Sequence, residues 1–534
     1  MANAEGVGGR VSGIFRKKSI GQIQAEHEHG ELNRSLGALN LVLLGIGCII
    51  GTGIFVLTGR AAAQFAGPGI MISFIITGTL CAFVALCYAE LASVLPVSGS
   101  AYSYSYASMG EVVAWVMGLL LVLEYGLAAS TVSVGWSGYL VSLAKDLHIV
   151  IPPELTAAPG VLVKDDYGKV IATGVMNLPA IVAIAAVTGL LILGVSESAT
   201  VNNIVVAIKL TVVVAFIVIG ARYVDTAHWT PLIPAEIPAR APDVPNDLWS
   251  QILRALGAVV TGDTSHKYGI GGVIHAAAVI FFAYLGFEAV STAGAESKNP
   301  AKDMPIGILG ALAICTVLYI LTSGVLVGIV PYASLDNPAP IATAVNHIGL
   351  PWFAVLVKIG AIAGLSSVML VLLYGQTRIF YTMSRDGLLP NVLAKVHPKF
   401  KTPWINTIIV GVAACGAAGF MSLDALADLS NVGSLAAFAI VCLTVVYLRY
   451  KAPELQRPFR TPLFPFVPFA GAIMCAVLLM SLMATKATRE FFLIYLVIGI
   501  VLYFVYGVRN SNLGRGILVK GHEAEPMELP HKGD

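Results

Sequence analysis

Twelve long apolar runs, separated mostly by short polar connections, restrict this chain more than any other feature of its sequence. They lie at residues 39–65, 69–95, 111–143, 179–195, 202–222, 273–294, 306–330, 352–383, 403–420, 425–448, 464–484 and 489–508, spans one to twelve. A bilayer core needs roughly 20 apolar residues of helix. Lipid satisfies no backbone amide or carbonyl, so isolated spans of this kind must be helical. The expectation is an all-α integral membrane protein. Residues 96–110, with Pro96 and the cluster Tyr102, Tyr104 and Tyr106, read as a connection or as the start of the third helix.

Composition agrees and removes other classes. Only 12% of the 534 residues are charged, against roughly 25% in an average soluble domain. A net charge of +2 is too small to suggest nucleic acid as a partner. All seven cysteines fall inside apolar runs without metal-ligand spacing and read as buried small hydrophobes. No phosphate loop marks an ATP-driven pump, no convergent catalytic groups mark a membrane enzyme, and no cofactor is implied. The first 38 residues are polar and lack the apolar core of a cleaved signal, so the N-terminus is expected to stay where it was made.

Lysine and arginine set the expected orientation. With the N-terminus inside, inner segments hold 19 of them and outer segments 10, the latter mostly in loops 144–178 and 223–272. Both termini are therefore expected in the cytoplasm. Glu90 and Glu111 read as span-end residues whose exposure is cheap. No folded domain is expected in the outer loops, and the polar tail after Asn510 reads as flexible.

Two spans are interrupted by glycine. Span one carries Gly45, Gly47, Gly51, Gly53 and Gly59, and span six carries Gly286 mid-span beside Tyr284, Phe287 and Glu288. Each glycine costs a helix interior roughly 0.5–1 kcal/mol relative to alanine. Close helix packing is the alternative explanation for either span alone. The pair is more informative, because interrupted spans at corresponding positions of two halves point to a transporter binding site. A broken helix offers free amides for a carboxylate and free carbonyls for an ammonium, and an amino acid zwitterion needs both. The expected organisation is an N-terminal segment (1–38), a first inverted repeat of helices one to five (39–222), an extracytoplasmic loop (223–272), a second repeat of helices six to ten (273–448), helices eleven and twelve (449–508) and a cytoplasmic tail (509–534).

Intramembrane charge is the second clue. Lys209 lies near the middle of span five, where an ammonium costs at least roughly 2.5 kcal/mol and is a functional candidate by default. An ammonium that can give up its proton there suits a proton carrier; a snorkelling or helix-locking lysine is the alternative. Glu124 in span three is a possible partner, with a satisfied structural carboxylate as its alternative, and Glu288 is a weaker candidate.

At these residues the chain resembles a known family. Ile50-Gly51-Thr52-Gly53-Ile54-Phe55 and Phe282-Ala283-Tyr284-Leu285-Gly286-Phe287 look like the amino acid–polyamine–organocation superfamily, and within it the bacterial form of the cationic amino acid transporter family. Glu296-Ser297-Lys298-Asn299-Pro300 and Ser384-Arg385-Asp386-Gly387-Leu388-Leu389-Pro390 agree, so the likeness covers about residues 35 to 508.

The resemblance implies a LeuT-type fold, two inverted five-helix repeats followed by two helices. It implies substrate binding by Ile49, Ile50, Gly51, Thr52 and Gly53 with Phe282, Ala283, Tyr284 and Leu285. The Thr52 and Gly53 amides would hold the carboxylate. The carbonyls near Ile49, Phe282, Ala283 and Leu285 would hold the amine. Phe287 resembles the aromatic that covers the site. Lys209 matches a lysine standing where sodium-coupled relatives hold sodium, with Glu124 tuning Lys209 or Thr52. Ser366, Ser367 and Met369 fall where the side-chain pocket is expected. The implied partners are an L-amino acid, protons and the lipid bilayer of the cytoplasmic membrane, with no single-helix partner identifiable.

Cationic preference does not follow from the family name, since only Glu124 could meet a basic side chain. The reading leans to small neutral or broad L-amino acids. Import by proton symport with alternating access is expected, against an exchanger or uniporter without proton coupling. A sodium symporter is disfavoured by Lys209, a channel by the lack of a filter or charged ring, and a sensor by the lack of a large signalling domain.

Overall fold

The computed structural model describes residues 15–18, 36–97, 99–164, 170–194, 199–237, 250–251, 257, 267–520 and 523–526. Most of segment 1–38, the middle of loop 223–272 and the end of the tail lie outside the described residues. Each expected run is helical. Helices α1 (Ala38–Ile49) and α2 (residues 53–66) form span one, and α3 (Ile70–Val94) forms span two. A short helix α4 (Ser100–Ser108) precedes α5 (Glu111–Asp146), α6 (Leu178–Ile192) and α7 (Ala199–Gly220). Span six comprises α8 (Gly269–Ile280) and the 3-10 helix α9 (Glu288–Glu296). Then follow α10 (Pro300–Ile329), α11 (Pro340–His347), α12 (Pro351–Arg385), α13 (Trp404–Phe420), α14 (Leu423–Lys451), α15 (Phe466–Met483) and α16 (Lys486–Leu502). Two small hairpins, Leu162–Lys164 with Val170–Thr173 and Ile517–Lys520 with Glu523–Pro526, are the strands among the described residues.

Nine described stretches are long and apolar enough to cross a membrane by length and composition. The difference from twelve has local causes. The break in span one leaves α1 with 12 residues. The second half of span one then runs into span two as one stretch, Gly53–Val94, turning only at Gly67-Pro68-Gly69, where Gly67 takes φ 57°. Helix α6 has 15 residues and α13 has 17, about 22 and 25 Å at 1.5 Å per residue. The Asn177 side chain caps α6 by accepting the Ala180 amide at 3.2 Å.

Residues 96–110 connect spans two and three, as one of the two expectations had it, and carry the short helix α4. Gly110, with φ 99°, separates α4 from α5. The two carboxylates expected near exposed span ends are instead buried. Glu111 is 0% exposed and accepts a two-pronged Arg16 guanidinium at 2.8 and 2.6 Å, together with the Tyr106, Tyr503 and Ser511 hydroxyls. Glu90 holds Arg449 and Arg457. A carboxylate is removed from water only when donors replace the water, and here all the donors but Tyr106 come from far along the chain. The same networks hold the start of the tail, which the sequence suggested would be flexible; residues 521–522 and 527–534 lie outside the described residues. Ser511, Leu513 and Gly514 are buried, and Asn512 donates its amide to the Asp386 carbonyl at 2.9 Å.

Candidate functional site

The two glycine-bearing spans break where the sequence interrupts them. Helix α1 stops at Ile49 and Ile50 turns extended, with ψ 96°. Helix α2 starts three residues later, so the Gly51, Thr52 and Gly53 amides open a new helix, where first-turn amides have no intrahelical acceptor. In span six α8 passes into a 3-10 turn at Phe281–Tyr284, Leu285 takes ψ 137°, and Gly286 takes φ 111° before α9 begins.

The two breaks press on each other. A Cβ added at Gly53 would lie 2.1 Å from the Ala283 Cα, and one at Gly286 would lie 2.8 Å from the carbonyl carbon of Cys48. Packing explains most of the other glycines in span one, as the alternative reading held. Gly45 faces Ala311, Gly47 faces Val206 and Gly59 faces Pro340, each too close for a side chain. Gly51 differs, meeting Val368 at an ordinary 3.6 Å and the Ile49 carbonyl oxygen at 3.9 Å. Gly286→Ala combines a left-handed backbone with overlap on Cys48. The expected outcome is about 2 kcal/mol of lost stabilisation or more, read as a roughly thirtyfold or larger fall in substrate uptake per correctly inserted molecule.

Groups from the surrounding helices take up the backbone that the breaks release. Lys209 Nζ donates to the Gly47 carbonyl at 2.7 Å, in the last turn of α1, where helix carbonyls carry partial negative charge. Its stem lies on Gly364, whose added Cβ would meet Lys209 Cε at 2.9 Å. The Tyr319 hydroxyl donates to the Ile49 carbonyl at 2.8 Å, and Tyr139 to that of Phe55 at 2.8 Å. Asn431 Nδ2 donates to the Ala278 and Val279 carbonyls at 3.0 Å each. Sequence reasoning missed Tyr319 and Asn431. A tyrosine or asparagine in an apolar run was a visible signal, but its partner was not.

A tight cavity lies between the breaks. Span one contributes Cys48, Ile49, Gly51, Thr52 and Gly53, span three Ala128 and Val132, span six Phe282 and Leu285, and span eight Val368 and Leu372. Among the described residues, no ionisable carboxylate or base lines it. It has room for about one water molecule, so a larger solute requires its walls to part. The Thr52 side chain packs on Gly135, and its hydroxyl is 3.5 Å from the Val132 carbonyl.

Of the expected substrate contacts, Ile49, Gly51, Thr52, Gly53, Phe282 and Leu285 line this cavity. Ile50, Ala283 and Tyr284 stand behind it, Ala283 against Gly53 and the Tyr284 hydroxyl on the Phe74 carbonyl at 3.0 Å. Phe287, expected to cover the site, does not line the cavity. Its ring packs on Tyr88 and Phe438, with centroids 6.0 and 5.3 Å away, while Phe282 is the aromatic on the wall. In span eight Ser366, Ser367 and Met369 give way to Val368 and Leu372. At 3.6 residues per turn, positions 368 and 372 share a face, 367 and 369 flank it, and 366 points away. Ser366 accepts the Trp136 indole N–H at 3.0 Å instead.

Glu124 sits on a π turn, Leu123–Leu127, within α5. It faces Glu288, while Lys209 faces Gly47. Glu288 in turn accepts the Gly286 amide at 2.9 Å and the Tyr125 hydroxyl at 3.4 Å.

A membrane-embedded helical bundle with a small cavity between two broken helices defines a class, the solute transporters built around discontinuous spans. The sequence profile of the amino acid permease family matches residues 36–503. The chain is 44% identical over 505 residues to the methylthioribose transporter of Bacillus subtilis (strain 168), covering 95% of this chain and 100% of that one. It is also 44% identical over 504 residues to the branched-chain amino acid permease BcaP of the same organism, covering 94% and 99%. The vacuolar cationic amino acid transporter 4 of Arabidopsis thaliana is 35% identical over 447 residues, 83% of this chain and 68% of that one. The chain belongs to the amino acid permease family of the amino acid–polyamine–organocation superfamily. It is a multi-pass membrane transporter and not an enzyme.

Proposed function

We propose that this permease imports apolar L-amino acids by proton symport with alternating access. The observation that carries the reading is the cavity between the two breaks. It is lined by Gly51, Thr52 and Gly53, whose amides open α2, and by the apolar side chains of Ala128, Val132, Val368 and Leu372. The carboxylate is bound at the Thr52 and Gly53 amides, and the amine at the carbonyls of Ile49, Phe282 and Leu285. The Ile49 carbonyl already accepts Tyr319, but a carbonyl has two lone pairs and can take a second donor.

A wall without a carboxylate favours an aliphatic side chain over a lysine or arginine, since a cation buried without a partner is costly. The relatives named for branched-chain amino acids agree. A cavity whose only side-chain hydroxyl is Thr52 also suits an amino acid better than a ribose-like solute, whose several hydroxyls would lack partners.

Lys209 supplies the coupling. Its ammonium holds the end of α1 through Gly47, and loss of its proton weakens that hold as the half-helices rock. The twelve runs form a LeuT-type bundle of two inverted five-helix repeats plus two helices, with both termini in the cytoplasm of a cell bounded by this membrane. Phe282 closes the cavity from within, and Phe287 braces the half-helix behind it.

The test is uptake into liposomes holding the purified protein, with a panel of L-amino acids and methylthioribose, with and without an inward proton gradient. Concentrative uptake of leucine, isoleucine or valine driven by the gradient is expected. Preferential uptake of methylthioribose or lysine overturns the substrate assignment. Indifference to the gradient, with acceleration by internal amino acid, makes the protein an exchanger. Val368→Ala removes two methyl carbons from the wall and is expected to shift the ratio of phenylalanine to valine uptake about tenfold toward phenylalanine, measured as competing initial rates.

A further inference from the structure

We propose that Arg378 and Tyr374 of span eight form a binding site for the phosphate of an anionic lipid, in the leaflet on the side where both ends of the chain lie. Lys18 reaches the Asp386 carboxylate just past the end of α12, and the Asn512 amide donates to the carbonyl of the same residue, so this end of span eight shares a side with both termini. That leaflet is the cytoplasmic one in the orientation proposed above, and the binding measurement below does not depend on which side it is.

The depth of the site follows from span eight itself. Its face outside the bundle runs through Trp352, Leu356, Ile359 and Tyr374, which are 63, 44, 54 and 40% exposed. Tryptophan and tyrosine gather at the two membrane–water boundaries. The rise from Trp352 to Tyr374 is about 33 Å at 1.5 Å per residue, against a hydrocarbon core of about 30 Å. The two rings therefore mark the two boundaries. Arg378 follows one turn later, about 6 Å beyond Tyr374 along the axis, at the level of the lipid phosphates.

Arg378 is exposed, and its guanidinium carbon lies over the Tyr374 ring, 4.8 Å from the centroid. Helical side chains lean toward the N-terminus of their helix, which on this span keeps the cation at the boundary rather than out in the water. A guanidinium that stacks by its face keeps the N–H donors of its plane for another acceptor, and their fork matches two phosphate oxygens. Among the described residues no carboxylate takes that place. Other cations at this end are already matched: Arg16 by Glu111, Lys18 by Asp386, Arg449 and Arg457 by Glu90. Arg385 repeats the stack on Tyr381, at 5.8 Å, but two turns further on, about 10 Å past Arg378. A phosphodiester supplies the missing counter-charge. A headgroup that carries its own ammonium neutralises its phosphate internally, so the site selects a headgroup with net negative charge.

The test is native mass spectrometry of the purified permease, titrated with phosphatidylglycerol and with phosphatidylcholine of the same acyl chains. Arg378→Gln and Tyr374→Leu are run beside the native chain. The native protein should bind its first phosphatidylglycerol about fivefold more tightly than Arg378→Gln does, the effect of one cation beside an anionic headgroup. Phosphatidylcholine should bind both alike. Tyr374→Leu keeps the charge and loses the stack, and should fall between. Both positions are exposed, so the variants should match the native thermal midpoint in detergent. Equal phosphatidylglycerol binding by the native protein and a folded Arg378→Gln overturns the proposal. So does a native protein that does not distinguish the two lipids. Displacement of phosphatidylglycerol by inorganic phosphate at equal concentration would make this a site for a free anion, and overturns the lipid assignment.

Discussion

Lys209→Ala is expected to leave a permease that still exchanges amino acid across the membrane but no longer concentrates it against a gradient. The Lys209 side chain is completely buried and reaches across Gly364 to the Gly47 carbonyl at the end of α1. Alanine removes the cation and leaves that carbonyl without its lysine, a loss of about 1–3 kcal/mol, or roughly five- to 150-fold in the equilibrium it controls. Gradient-driven accumulation in liposomes should fall by at least that factor, while counterflow keeps a larger share of the native rate. If accumulation and counterflow fall together, Lys209 is a post that holds spans one, five and eight, and coupling lies elsewhere. Lys209→Met, which keeps most of the stem on Gly364, separates lost charge from lost packing.

Gly53→Ala should nearly abolish transport. The new Cβ would lie 2.1 Å from the Ala283 Cα, 2.4 Å from its Cβ and 2.7 Å from its nitrogen. Two of these atoms are backbone and cannot turn aside, so the half-helices themselves must separate. A displacement of about 1 Å at a binding site costs on the order of a hundredfold, and overpacking adds about 1–3 kcal/mol. Initial uptake rates, corrected for inserted protein, measure the effect. A second substitution sharpens the test. Ala283→Gly removes the contact at 2.4 Å but leaves the one at 2.1 Å, so it should restore only part of the activity. Full restoration would mean that side-chain crowding alone, and not backbone contact, limits Gly53.

These expectations show how much of the site was legible beforehand. The broken spans and the buried lysine were readable because each violates a rule of its surroundings: glycine weakens a helix interior, and charge is expensive in lipid. Gly53 and Lys209 announced themselves in that way. The wall of span eight did not. Around positions 361–373 that helix is apolar except for the adjacent Ser366 and Ser367, which point to different sides, so its sequence does not fix its rotation, and Val368 and Leu372 could not be preferred to Ser367 and Met369. The partners of Glu111 and Glu90 were hidden for a different reason. Arg16 lies 95 residues from Glu111, and Arg449 lies 359 from Glu90, and nothing local to either carboxylate names them.

The chain by itself determined its solvent, its helical class, the places where two helices must break and the cation that stands beside one of them. These are local consequences of hydrogen bonding and charge in an apolar medium, so a window of about twenty residues contains them. Only the tertiary structure decided that the breaks touch backbone to backbone, that Phe282 rather than Phe287 lines the cavity, that Glu124 meets Glu288, and that Arg16 and Ser511, far apart in the chain, both reach the buried Glu111. Those outcomes depend on how each helix is rotated and which distant segment fills each gap. Packing of the whole bundle settles both at once, and no stretch of sequence encodes either alone.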